Sequence, residues 1–380
     1  MNSGRESSSA IVVGAGIGGL TAAVALRRIG WSVTVLERAP IIAEVGAGLT
    51  LWPNAMSALA ALELDGKVEA RAVRTISRGN LRTPRGRWIR RNHPDDVGVL
   101  AVHRAELHAV LRSMLPESAL HTDAEVLAVD GQKVLCRCAG EEHELTADLV
   151  VAADGVNSLV RRTLWSGSAV FQGRTAWRGV TPSGSVWPVE ESLTLGRGVQ
   201  VGILPLPDER VYWFVTANAP EANREYADEQ AEALRRVQGW HDPIPALIRA
   251  TPPDQVLHND LADIDPLASF VKDRVVLLGD AAHAMTPDLG QGACQAIEDA
   301  VVLAASLNDN DLESGLAEYD RVRRARVQPM TAAARASVRR SSSTSRIAYS
   351  GMTVAARLVP PAKWRELTAR WSDWQAPKLP

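Results

Sequence analysis

Six residues near the start of the chain, Gly14-Ala15-Gly16-Ile17-Gly18-Gly19, restrict its fold more than any other feature. They follow a short β-branched run at residues 11–13 and open a helical pattern over residues 20–29. A second β-branched run follows at residues 33–36. A glycine-rich turn set between a strand and a helix in a βαβ unit can receive a pyrophosphate on the helix N-terminus. Gly14 permits the tight turn, Gly16 lets the backbone approach the phosphates, and Gly19 lets helix and strand pack closely. Glu37, at the end of the second run, can accept hydrogen bonds from an adenosine ribose. The fingerprint predicts a dinucleotide and leaves FAD and NAD both open.

Two more apolar runs, residues 149–153 and 275–278, have the character of parallel strands covered on both faces. The texture changes over about residues 162–265, which are rich in Trp, Pro and Gly. Alternating runs at 199–204 and 211–216 flank residues 205–210 and predict an antiparallel hairpin. Residues 75–96 form another alternating, turn-rich piece. The expected fold is α/β. A Rossmann-like dinucleotide-binding domain occupies residues 1–75, 97–162 and 266–330. It carries an inserted antiparallel β-sheet substrate domain from residues 76–96 and 163–265. C-terminal helices form a tail over residues 331–380.

The 380 residues are 46% hydrophobic and 23% charged, as in a globular chain. Lys+Arg 42 against Asp+Glu 44 argues against a nucleic-acid partner. Cys136, Cys138 and Cys294 cannot build a disulfide framework, and no spacing suggests a metal cage. Cysteine usage fits a reducing compartment, the polar opening residues show no export signal, and the expectation is a cytoplasmic protein with no membrane partner. The acid-free basic run at residues 321–346 reads as a solvated helix face. Trp364, Trp371 and Trp374, at helix-like spacing, are expected to dock onto the body.

Two later motifs add chemistry. Ala153-Asp154-Gly155-Val156-Asn157-Ser158, with Arg161 beyond it, follows the third run; alone it is also readable as a turn capped by Asp154 or Ser158. Gly279-Asp280-Ala281-Ala282-His283 follows the fourth run, and Pro287-Asp288-Leu289-Gly290-Gln291-Gly292 leads into a helical pattern over residues 296–307. Asp280 at a strand end can accept hydrogen bonds from polyol hydroxyls. Gly290 and Gly292 introduce a helix start whose N–H groups and dipole favour negative charge. His283 is expected to be structural.

These three signals, in this order, resemble the class A flavoprotein monooxygenases, the aromatic-hydroxylase family. Gly46-Ala47-Gly48, Pro53-Asn54-Ala55 and His103-Arg104-Ala105-Glu106-Leu107 also look like family segments. The resemblance implies FAD, with its pyrophosphate near Gly14, Gly16, Gly19 and Arg104, its ribose on Glu37, and Asp280 on the pyrophosphate–ribityl side. It associates Asp154 with FAD and NAD(P)H, and makes NADH or NADPH a transient reductant. Thr175-Ala176-Trp177-Arg178-Gly179 looks most like the branch containing FAD-dependent urate hydroxylase and zeaxanthin epoxidase. Tyr212 resembles a pocket tyrosine there and Asp288 a pocket acid, while Gln200 stands where urate hydroxylase carries an arginine. The implied function is hydroxylation of an electron-rich aromatic or heteroaromatic small molecule with O2 through a flavin C4a-hydroperoxide. Alkene epoxidation, or a flavin reductase or cyclase without oxygen insertion, stays open. Gln200, Tyr212 and Asp288 are expected to meet above the flavin ring, with a neutral or weakly anionic substrate.

Overall fold

The computed structural model describes residues 8–41, 47–76, 79–184 and 186–380; Gly46 lies outside them. The four β-branched runs form the centre of one six-stranded sheet. Its order is Val271–Lys272, Val275–Leu277, Leu149–Ala152, Ser9–Val13, Ser32–Leu36, Leu120–His121. All neighbours are parallel except the first pair. These strands lack polar alternation because both faces are covered. The helices Ile17–Arg28 and Gly292–Asp309 pack together on the sheet, and a three-stranded meander adds fully buried Val134 and Cys136 to the same core. A Cβ on Gly18 would stand 2.9 Å from Leu278 and 3.2 Å from Ala296, which shows how closely the parts approach.

A seven-stranded sheet is built on the opposite rule. Its order is Leu257–Ile264, Ala169–Val180, Val211–Asn218, Val199–Pro205, Ser192–Leu195, Leu81–Arg82, Trp88–Arg90. Its strands alternate. Trp177, Val201, Ile203, Trp213 and Val215 point to one face and pack with the helices Glu229–Arg236 and Ile244–Ala250. Val180, Leu204 and Tyr212 point to the other face and pack against Ala47 and Ala101. Ala101 belongs to a small sheet of Gly48–Leu51, Gly98–His103 and Ala72–Ile76. The polar face of the large sheet is therefore turned toward the dinucleotide fold. The expected hairpin is present, closed by the pair Pro205 and Val211.

The C-terminal part holds the helices Leu312–Ser341, Arg346–Leu358 and Pro361–Ala369. Trp364, Trp371 and Trp374 each pack against the body. The basic run is not simply a solvated face. Arg323 is fully buried and donates to Asp299 Oδ1 at 2.5 Å, Glu298 Oε2 at 2.7 Å and Gln295 Oε1 at 2.7 Å. Arg326 adds two bonds to Glu298, and Arg335 grips Asp263. The charge run is spent on acids elsewhere in the chain, so counting charges along the sequence misplaced it.

Asp299 gathers this cluster. One oxygen takes Arg323; the other takes the Gly279 N–H at 2.8 Å and faces His283 Nε2 at 2.6 Å. Burial alone would push both carboxyls up. The neighbouring cations and bonds overrule it, leaving Glu298 below its usual value and Asp299 down at about 2. Because the folded value is depressed, this stabilisation is present above the ordinary carboxylate range, near 4, and is lost as pH falls toward about 2. Asp299→Asn is expected to cost on the order of 3–5 kcal/mol at neutral pH, since it leaves buried Arg323 undercompensated. Denaturant unfolding across pH checks this: the gap between wild type and variant should narrow between about pH 4 and pH 2. An unchanged midpoint at neutral pH would contradict it.

Candidate active site

The first glycine turn is shaped as its spacing predicts. Gly14 has φ +98°, and a Cβ on Gly19 would lie 1.9 Å from Gly14 O. A Cβ on Gly16 would meet nothing within 4 Å, so the backbone there borders open space. The helix that starts beyond it has no side-chain cap and no acid in its first turn, which leaves its positive end unspent. Glu37 accepts the Ala15 N–H at 2.8 Å and the Ala39 N–H at 2.9 Å. Those bonds hold its carboxylate beside the turn with lone pairs to spare. His108 Nε2 lies 2.7 Å from Ala15 O. This residue was missed from sequence; its only signal is its place one turn after Arg104 on the helix Arg104–Arg112.

The second and third motifs converge on Arg161, which is fully buried. It donates to Ala281 O at 3.1 Å, to Gly167 O at 3.2 Å, and to Val156 O. One arginine thus ties the Asp154 segment to the Asp280 segment. Asp154 Oδ2 accepts the Val160 N–H at 3.3 Å, and Ser158 caps the helix Leu159–Leu164, so the capping role is real. Asp154 Oδ1 is nevertheless buried with no hydrogen-bond partner among the described residues. Asp280 opens a short helix after Gly279, at φ +61°. Its side chain is open to solvent yet closely surrounded by protein. Loss of bulk water around it pushes its carboxyl up, opposed by His283, Arg104 and Arg161. Burial likewise pulls half-buried Arg104 down, and Asp280 opposes that shift.

Gly290 is left-handed at φ +65°, and Gly292 is the first residue of the helix Gly292–Asp309. A Cβ on Gly292 would stand 3.9 Å from Asp280 Oδ1, so this turn adjoins the Asp280 carboxylate. The helix has no acid in its first turn and no side-chain cap. Trp52 Nε1, 3.2 Å from where a Gly290 Cβ would be, is buried and without a partner among the described residues. Two uncapped helix starts, two orphaned polar atoms and an open carboxylate all fit an extended, polyol-bearing pyrophosphate.

On the sheet side, Tyr212 packs its ring against Gly48, whose Cβ would fall 2.7 Å from it. Burial pushes its phenol up, with Arg178 and Arg104 pulling against that shift. Arg178 donates to Asn259 Oδ1 at 2.8 Å. Arg174 is buried; it donates to Thr216 Oγ1 at 2.8 Å and to Ser341, whose hydroxyl reaches Asp288 Oδ1 at 3.4 Å. Gln200 pairs directly with Thr216. Gln200, Tyr212 and Thr216 therefore share one face, but Tyr212 is four residues from Thr216, about 13 Å along the strand. The structure places Gln200 level with the Arg174–Ser341–Asp288 chain and Tyr212 at the Arg178 end, instead of bringing all three to one point. Arg174, Arg178 and Asn259 were missed from sequence. The even spacing of 174 and 178 along a strand was the available signal that they share a face.

A family model described as FAD binding domain matches residues 7–334. The chain is 41% identical over 323 residues to an aurachin C monooxygenase/isomerase of Stigmatella aurantiaca, covering 82% of this chain and 84% of that one. It is 31% identical over 346 residues to an FAD-dependent urate hydroxylase of Mycolicibacterium vanbaalenii, covering 86% of each. Its fold matches the crystal structure of Klebsiella pneumoniae HpxO complexed with FAD and uric acid. The TM-score is 0.84 at 27% identity, over 96% of both chains.

Gly16→Val is expected to keep the apo melting temperature while abolishing FAD retention, because its side chain enters the open space above the turn. Gly19→Val should fail to fold normally, because no room exists beside Gly14 O. Asp280→Ala is expected to weaken FAD binding by roughly 5- to 150-fold, the equivalent of ~1–3 kcal/mol for unpaired polyol donors. Titration of apo protein with FAD checks this, and equal affinities would contradict the role. The glycine turns, Glu37 held beside the first of them, the open Asp280 and the matched family model converge on one conclusion. The chain belongs to the FAD binding domain family and is a class A FAD-dependent flavoprotein monooxygenase.

Proposed function

We propose that this protein uses NADH or NADPH and O2 to hydroxylate an electron-rich aromatic or heteroaromatic small molecule bearing an O–H or N–H group. Bound FAD supplies reducing equivalents from the nicotinamide and activates O2. This chain's residues bind the ring, orient it and manage its charge. The carrying observation is the face presented by the seven-stranded sheet: Tyr212 with Arg178 at one end, and Arg174 with Asp288 at the other.

Asp288 and Arg174 balance each other electrostatically, and burial lowers the Arg174 pKa against the pull of Asp288. Asp288 has an acceptor oxygen for a substrate N–H or O–H, which raises electron density in the ring. Arg178 has no acidic partner among the described residues. With neutral Tyr212 beside it, Arg178 stabilises negative charge that develops on a ring oxygen as the carbon attacks. A neutral or weakly anionic substrate, as expected from the sequence, suits this face. Gln200 leaves its end of the face without a further cation, but Arg178 welcomes a phenolate-like oxygen. Glu37, Arg104, Asp154, Gly14, Gly16, Gly19, Asp280, Gly290 and Gly292 hold the FAD in this reading.

Tyr212→Phe and Asp288→Asn are expected to leave FAD affinity within about twofold of wild type. Both should slow substrate-stimulated NAD(P)H oxidation or divert it to hydrogen peroxide. Arg178→Ala should lower kcat/KM by roughly 10- to 100-fold, as for a lost charge-assisted hydrogen bond. A screen of hydroxylated aromatics and heteroaromatics, with NAD(P)H loss, peroxide and product mass measured together, checks all three. Wild-type coupling in every variant would place the pocket elsewhere. Peroxide without an oxygenated product from any substrate would favour a reductase.

A further inference from the structure

The helix Arg346–Leu358 has two apolar faces with different surroundings. Tyr349, Met352 and Ala356 pack onto Leu81, Ile89 and Leu195. Tyr349 donates from its hydroxyl to Leu195 O at 2.9 Å, and Arg357 reaches Trp88 O at 3.4 Å. That face is fully accounted for. On the opposite face, Ile347, Val354 and Leu358 recur at i, i+7 and i+11, with Gly351 between them. They are 86%, 51% and 75% exposed. A stripe of this kind on the outside of a docked helix has no packing explanation within the chain.

The stripe is set in concentrated positive charge. From residue 339 to 365 the chain holds Arg339, Arg340, Arg346, Arg357, Lys363 and Arg365 and no acid, although the whole chain balances 42 basic against 44 acidic residues. The strands Leu81–Arg82 and Trp88–Arg90 lie under the helix, and exposed Arg85 and Arg87 lie on the turn that joins them. Lys363 is paired with Glu366. Arg85, Arg87 and Arg346 form no ion pair among the described residues.

We propose that this helix docks in the plane of an anionic phospholipid surface, with Ile347, Val354 and Leu358 entering the interface and the arginines on the headgroups. The charge decides the occupant. An apolar stripe flanked by cations suits a negatively charged, deformable surface. A two-fold contact between copies of this chain would set the same arginines against one another, and three side chains fall far short of the roughly 800 Å² per partner that a stable interface buries. Among the described residues no helix is long and apolar enough to cross a membrane, and the tail tryptophans are docked. Neither point bears on an interfacial helix, so the proposal departs from the expectation of no membrane partner. Leu195, which receives Tyr349, pairs directly with Gln200, so the docked helix forms the outer layer beside the polar face of the sheet. The proposal does not depend on the assigned reaction.

The test is flotation of the FAD-loaded full-length protein with vesicles of phosphatidylcholine alone or mixed with phosphatidylglycerol. Binding is expected to the mixed vesicles only, and to fall as salt rises. The combined variant Ile347→Ser, Val354→Ser, Leu358→Ser should lower partition at least about tenfold, with FAD content, melting temperature and basal NAD(P)H oxidation unchanged. Arg85→Gln and Arg346→Gln should each lower it about fivefold. Absence of binding to mixed vesicles, or a serine variant that binds like wild type, would overturn the proposal. So would a wild-type dimer that the serine variant converts to monomer, which would make a second copy the occupant.

Discussion

The Gly279-Asp280 turn and the Gly292 helix start depend on one buried ion cluster. Glu298 and Asp299 sit side by side in the middle of a helix, where charge is costly. They are tolerated because Arg323, Arg326, Asn54 and His283 reach them from three other elements. Asp299 also accepts the Gly279 N–H, so the cluster fixes the turn that aims Asp280. Such a network contributes little net stability compared with an apolar core, yet breaking one member is expensive. Its value here is geometric: it sets the strand end, the Asp280 helix and the Gly292 helix start in one arrangement.

Around that anchor the two sheets divide the work. The parallel sheet buries both faces and presents only its loops, so its chemistry is that of backbone N–H groups and a few carboxylates. The antiparallel sheet buries one face against helices and leaves the other polar. In the proposed reaction, cofactor contacts come from turns, and substrate contacts from alternate residues of strands. Arg104 links the two sides by charge, since it feels Asp280 on one and Arg178 and Tyr212 on the other.

What could be read in advance follows this division. Gly14, Gly16, Gly19, Glu37 and the Gly279-Asp280 turn were legible because their chemistry is local: a turn, a helix start, a strand end. The hairpin was legible from its alternation. Its register was not, since the turn at residues 205–210 sets Gln200 opposite Thr216 and leaves Tyr212 four residues away. Arg174 escaped notice because its partners, Thr216, Ser341 and Asp288, are scattered along the chain and meet only after folding. Arg323 was misplaced because a basic run looks solvated until the acids that neutralise it are brought alongside.

The proposed reaction inserts an oxygen atom from O2 into an aromatic or heteroaromatic ring beside the flavin. Turnover of one active substrate under isotopically heavy O2 in ordinary water tests it most directly. The expected product carries one heavy oxygen and forms with consumption of NAD(P)H. A product that takes its oxygen from water, or a turnover that yields only labelled peroxide with every electron-rich ring tried, would contradict it.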